Sequence, residues 1–105
     1  MMFRNYKVIK QVINGKRYIL YVAKTDAQKR KGLSNIKKIP KNVGMIFPYQ
    51  EEKKERTFTM KNVSFPLRII FLDKKMEIVH QVKAMPGQYS IVCEKPSQYV
   101  IEILA

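Results

Sequence analysis

The sequence predicts an α+β domain that is mostly β, a small antiparallel sheet that curls or becomes barrel-like, with one short helix near residues 26–31. Three observations predict it. Asn14-Gly15 separates two runs rich in β-branched and aromatic residues. A series of further short apolar runs follows, each bounded by glycine, proline or charged turn residues. A single segment carries helix start and stop signals.

The first runs are residues 6–13 and 16–23. Asn and Gly both tolerate positive φ, which a two-residue type I′ turn demands, so the pair predicts a hairpin. Thr25-Asp26-Ala27-Gln28 reads as a capping box, with Asp26 suited to the positive end of a helix. Lys29, Arg30 and Lys31 suit its negative end, and Gly32 suits the left-handed residue after it. Residues 34–43 read as a loop. Gly44 to Phe47 is a short apolar strand, and Pro48 predicts its end or an edge position. Gln50 to Glu55 reads as a charged loop. Thr57 to Met60 alternates polar and apolar types, the period of a half-buried strand. Leu67 to Leu72 reads as a buried strand, turned by Asp73-Lys74-Lys75 and returning over Met76 to Ala84. Pro86-Gly87 makes another turn, and Tyr89 to Cys93 and Gln98 to Leu104 are the last two strands.

The 105 residues match one domain, expected over 1–105, with 46% hydrophobic and 28% charged residues. That balance excludes a disordered tail, a collagen-like rod and a low-complexity linker. Cys93 is the only cysteine, so no intramolecular disulfide forms; its apolar surroundings read as a packed thiol rather than a nucleophile. The N-terminal segment lacks the uninterrupted apolar core of a signal peptide. No apolar run approaches the ~20 residues of a membrane helix. The expected location is cytoplasmic, or within a particle assembled there.

Charge is concentrated. The chain carries +13 overall, and residues 1–41 hold twelve basic residues against the single acid Asp26, or +11. A basic half concentrates anions, whether nucleic acid or acidic protein; the plainer reading is a solvated, lysine-rich surface.

Phe58-Thr59-Met60-Lys61-Asn62-Val63-Ser64-Phe65-Pro66-Leu67-Arg68-Ile69-Ile70-Phe71-Leu72-Asp73 resembles the signature of the small family called domain of unknown function 192. That signature reads Phe-Trp-Met-Lys-Asn-Thr, two residues, then Pro-Leu-Asp-Ile-Ile-Phe. Gly32-Leu33 is similar to its Gly-Leu-Met box and Gly44-Met45-Ile46-Phe47 to its Gly-Met-Leu-Phe box. Tyr99-Val100-Ile101-Glu102-Ile103 resembles its terminal strand. The resemblance covers about residues 16–104 and implies a strand-rich α+β domain, but no reaction. Thr59 stands where the family has Trp, Val63 where it has Thr, Arg68 where it has Asp and Ser34 where it has Met.

No catalytic or metal-binding set emerges, and no cofactor is expected. His80 is the only histidine and alternates with Ile78 and Val82, which reads as a packed or rim position. Glu51, Glu52 and Glu55 share a segment with Lys53, Lys54 and Arg56, which reads as compensating surface charge. The four glycines are scattered, so there is no phosphate-cradling loop. Asn62 suits a tight turn, with Lys61 packing its stem beside it.

The expected function is therefore a non-enzymatic basic interaction module, an accessory structural subunit of a larger anionic assembly such as a virion or ribonucleoprotein particle. Its surface would be Lys29, Arg30, Lys31, Lys37, Lys38 and Lys41. The partner would be an acidic protein surface or a nucleic-acid backbone, and no membrane. The alternative is a small-ligand-binding domain with a pocket formed by Met45, Phe47, Phe58 and Met60, beside Lys61 and Asn62.

Overall fold

The computed structural model describes residues 3–105. Met1 and Met2, the start of the segment read for a leader, lie outside the described residues. The predicted hairpin forms from β1 (Lys7–Ile13) and β2 (Lys16–Val22), paired antiparallel from Lys7 opposite Val22 to Ile13 opposite Lys16. Asn14 and Gly15 both have positive φ, 50° and 82°, as the two-residue turn requires.

Helix α1 (Asp26–Lys31) follows, and its capping box is complete. Gln28 N–H donates to the Thr25 hydroxyl at 3.0 Å, while Gln28 Oε1 accepts from the Thr25 N–H at 3.1 Å. Gly32 has φ 48° but ψ −129°, so it leaves the helix outside the left-handed helical well that the sequence suggests. Its N–H still donates to the Gln28 carbonyl at 2.9 Å.

The sheet is not purely antiparallel. β3 (Val43–Lys53) runs parallel to β2, with Leu20 opposite Gly44 and Val22 opposite Ile46. Parallel neighbours need a crossover of a dozen or more residues, and α1 with its following loop supplies one. Pro48 neither ends this strand nor sits outside it. The Ile46 carbonyl accepts from Ala23 N–H at 2.9 Å, so its polar groups face β2. Alternation turns the Pro48 nitrogen to the same side, beyond the last residue of β2, where no donor is needed. Gln50–Lys53, read as loop, continue β3 through an irregularity after Pro48.

β4 (Arg56–Phe58) pairs with β7 (Ile91–Cys93) in a separate two-stranded sheet, shorter than the runs suggest. The expected alternation holds: Thr57 and Thr59 are exposed, Phe58 is half-buried and Met60 is buried. β5 (Leu67–Leu72), β6 (Ile78–Ala84) and β8 (Ser97–Leu104) complete the main sheet, in the order β1-β2-β3-β8-β5-β6. Val12 and Ile13 of one edge strand and Ile78 of the other line a common cavity of about 90 Å³. No ladder joins those strands, so the sheet stays open.

β8 lies between β3 and β5 and alternates across both faces. Val100 aligns with Phe47 and Phe71 in one core, and Ile101 with Ile46 and Ile70 in the other. Phe47, Phe71, Ile70 and Ile101 are at most 1% exposed; burial of each such side chain contributes about 1.5–3 kcal/mol. Cys93 is buried and His80 half-buried, its ring 5.7 Å from that of Phe71. Among the described residues no helix is long and apolar enough to cross a membrane.

Candidate functional site

The face of the main sheet that carries Phe47, Val100 and Phe71 is overlaid by α1, the loop after it and the β4–β7 sheet. Where these meet they leave an open cleft of about 340 Å³. Lys29, Arg30 and Lys31 line one side, followed by Gly32, Leu33 and Ser34. Phe47 and Tyr49 of β3 line the second, and Thr57, Phe58, Thr59, Lys61 and Val63 the third. Glu102 of β8 lies beneath them.

The walls follow from local chemistry. Phe58 packs edge-on against Phe47 at 5.3 Å and against Phe71 at 5.9 Å, an arrangement the aromatic quadrupole favours. Gly32 passes close to Phe47: a β-carbon there would stand 3.5 Å from the ring, on a φ of +48° that side chains avoid. Asn62 has φ 60° and its carbonyl accepts from Asn35 N–H at 2.8 Å. This bond ties the loop after α1 to the segment after β4, so Asn62 has the turn role that its type suggests. Lys29 extends over the Tyr49 ring at 4.7 Å, and the Arg56 guanidinium stacks on that ring at 3.7 Å. Burial raises the Tyr49 hydroxyl pKa; Arg56 opposes this and Glu102 adds to it.

Glu102 is the unusual group. It is 4% exposed, with Met45 and Ile69 as its cross-strand neighbours. Among the described residues no side-chain hydrogen bond reaches its carboxyl. Burial alone pushes its pKa from 4.5 up to about 8, because loss of water disfavours the charged form. Near neutral pH it is mostly a carboxylic acid and therefore a hydrogen-bond donor.

Three hollows are larger: one of about 410 Å³ runs along Lys10, Val12, Arg17 and Ile19 of the hairpin, and the remaining two differ in kind. One of about 450 Å³ lies beside Lys16, Lys41 and Arg68, and holds no buried ionisable side chain. The other, about 610 Å³, lies beside Arg56, whose guanidinium is already bonded to the Ser97 carbonyl at 3.1 Å and the Glu51 carbonyl at 2.8 Å.

The basic residues singled out in the sequence do not form one cluster at this cleft. Lys29, Arg30 and Lys31 line it, Lys41 lines the hollow beside Arg68, and Lys37 and Lys38 are exposed outside both. Phe47, Phe58 and Lys61 line the cleft, and Asn62 does not. Met45 and Met60 do not: both are completely buried behind its wall, where apolar contact outweighs exposure. The sequence-derived set omits Glu102, although a lone carboxylate in an apolar strand signals a buried acid. Three of the departures from the family pattern, Ser34, Thr59 and Val63, line the cleft, and Arg68 does not. Among the described residues no group of three or more His, Cys, Asp or Glu side chains could hold a metal ion.

The fold and cleft together define a small, mostly β α+β domain with an open, cation-rimmed site. The chain belongs to DUF192, the uncharacterized ACR family, whose model matches residues 9–105. A protein of unknown function from Novosphingobium aromaticivorans shares the architecture, with TM-score 0.81 and 25% identity over 95% of this chain and 74% of its own. A candidate transcription regulator from Sinorhizobium meliloti is similar in fold, with TM-score 0.76 and 24% identity over 95% of this chain and 80% of its own. No curated protein matches the chain.

Proposed function

We propose that this protein is a small-ligand-binding domain and that the cleft above Glu102 is its site. One observation carries the reading: a buried carboxyl without a side-chain partner opens into a cleft. Among the described residues Ser97 Oγ is the one fully enclosed side-chain polar atom without a partner, so the Glu102 oxygens are open to the cleft and a ligand acceptor can reach them. The cleft is also the meeting point of residues from all four family-like blocks: Gly32 and Leu33; Phe47; Phe58, Thr59, Lys61 and Val63; and Glu102. Native mass spectrometry of the full chain, after incubation with a small-molecule extract and removal of free solutes, tests this. Retained small molecules are expected, and Thr57→Trp, which narrows the mouth from an exposed strand position, should reduce them. Retention unchanged in Thr57→Trp, or no retention by either protein, sinks the assignment.

The net charge of +13 favours a second reading, a basic module held electrostatically in a larger anionic or nucleic-acid-containing assembly. It predicts co-sedimentation with large particles at low salt and release at high salt or by nuclease. Replacing Lys29, Arg30, Lys31, Lys37 and Lys38 by Gln should weaken the association and flatten its salt dependence. Sedimentation as a free chain in both salts would end this reading.

A further inference from the structure

We propose that the cleft binds a small organic anion, its charged end among Lys29, Arg30, Lys31 and Lys61 and an acceptor on its other end bonded to the Glu102 carboxyl. This rests on the ligand-binding reading above and specifies its chemistry. The sign of the lining decides it: four cations surround the cleft, and its single acid is at the bottom. Asp26, the acid of α1, lines the different hollow beside Arg56. A cationic ligand would therefore pass four like charges to reach one acid. The surfaces of Leu33, Phe47, Phe58 and Val63 between rim and floor accept an apolar body. An acid at the floor is out of place in a site for phosphodiester backbone alone, since it adds nothing for a charge held at the rim.

The arrangement links binding to protons. A protonated Glu102 donates to the ligand; an ionised one repels it. The charged and titratable groups around the floor are Lys29, Arg30 and Lys31 from α1, Tyr49 from β3 and Lys61 after β4, with Arg56 of β4 behind Tyr49. The flanking strands present Met45 and Ile69, which do not titrate. Anion affinity should therefore fall as pH rises through about 8, the pKa of the Glu102 acid.

The test is an NMR titration of the full chain with the para-acetyl derivatives of benzoate, benzyl alcohol and benzylammonium, each carrying a carbonyl acceptor opposite its variable group and each called here by its parent name. At about pH 6.5, benzoate should shift the Gly32, Phe58 and Glu102 amides and bind about ten-fold or more tightly than the other two. Raising the pH to about 9 should weaken benzoate about ten-fold. Glu102→Gln, which keeps a donor but cannot ionise, should bind benzoate without that loss. Lys61→Gln, an exposed substitution, should weaken benzoate several-fold more than benzyl alcohol. Benzyl alcohol or benzylammonium binding the cleft as tightly as benzoate would overturn the anion assignment while leaving the ligand-binding reading in place. Benzoate binding that is independent of pH in the wild-type chain would overturn the role of Glu102. Absence of cleft shifts with all three probes at millimolar concentration would overturn both the assignment and the reading beneath it.

Discussion

Gly44 lies directly against the backbone of Glu102. A β-carbon at residue 44 would collide with the Glu102 carbonyl oxygen and stand 2.7 Å from Ile103 Cγ2. The glycine of one family-like block thus allows β3 to lie close to the strand that carries the buried acid. Its value here is space, since its φ is outside the positive range. Gly44→Ala should destabilise the fold by about 1–3 kcal/mol, because the obstacle is backbone and cannot rotate away. Urea unfolding measures the loss. Wild-type stability in the variant would show that β3 and β8 separate at little cost.

Glu102 should impose a pH dependence on folding. Its folded pKa, about 8, lies above its unfolded value near 4.5. Between those values the folded state holds the proton that the unfolded state has released. Stability is therefore complete below about pH 4.5 and falls as pH rises through about 8, by about 3–5 kcal/mol in all. Glu102→Gln should match the wild-type slope below that window and lack the decline within it. Parallel urea midpoints for both proteins from about pH 5 to about pH 9 would contradict a buried, unpaired acid.

Arg56 should resist conservative replacement. It is 7% exposed, donates to two carbonyls and stacks on Tyr49. Lysine retains the charge but loses the planar fork and the stacking. Arg56→Lys should cost about 2–4 kcal/mol, read as a lower thermal midpoint. A midpoint equal to the wild type would mean that the outer arm of β3 is held by other contacts.

The helix cap should matter more to the cleft than to the core. No residue of α1 is buried, so its position depends heavily on the Thr25–Gln28 capping box. Thr25→Ala should cost about 1 kcal/mol. It should also increase amide exchange across residues 26–32, which deuterium exchange would detect. Unchanged exchange there would place the anchoring of α1 elsewhere, for example in the Gln28 side-chain bond to the Asn5 carbonyl at 3.3 Å.

Local chemistry made several elements readable from sequence. Asn14-Gly15 specifies its turn, Thr25 with Gln28 specifies a helix start, and the Leu67–Leu72 run matches β5. Long-range pairing was not readable in the same way. Nothing local to Val43 or Ile46 declares a parallel neighbour 24 residues earlier, as Ile46 and Val22 prove to be. Pro48 was misleading because its effect depends on which side of β3 lacks a partner. The cleft was half legible: Phe47, Phe58 and Lys61 were singled out, and Glu102 was not. Its neighbours Ile101 and Ile103 face the opposite core, and the burial of Glu102 itself arises from α1 and β4, far away in the chain.

The central place of β8 has a consequence for synthesis. β3 and β5 are both made before it, yet neither pairs with the other; each pairs with β8. During translation the two halves of the main sheet remain unjoined until residues 97–104 leave the ribosome. Contacts spanning 27 to 59 residues then form together, a slow step for a chain of this size. The strand that joins the halves also brings the acid of the cleft, so a chain that has formed the cleft has already completed its sheet.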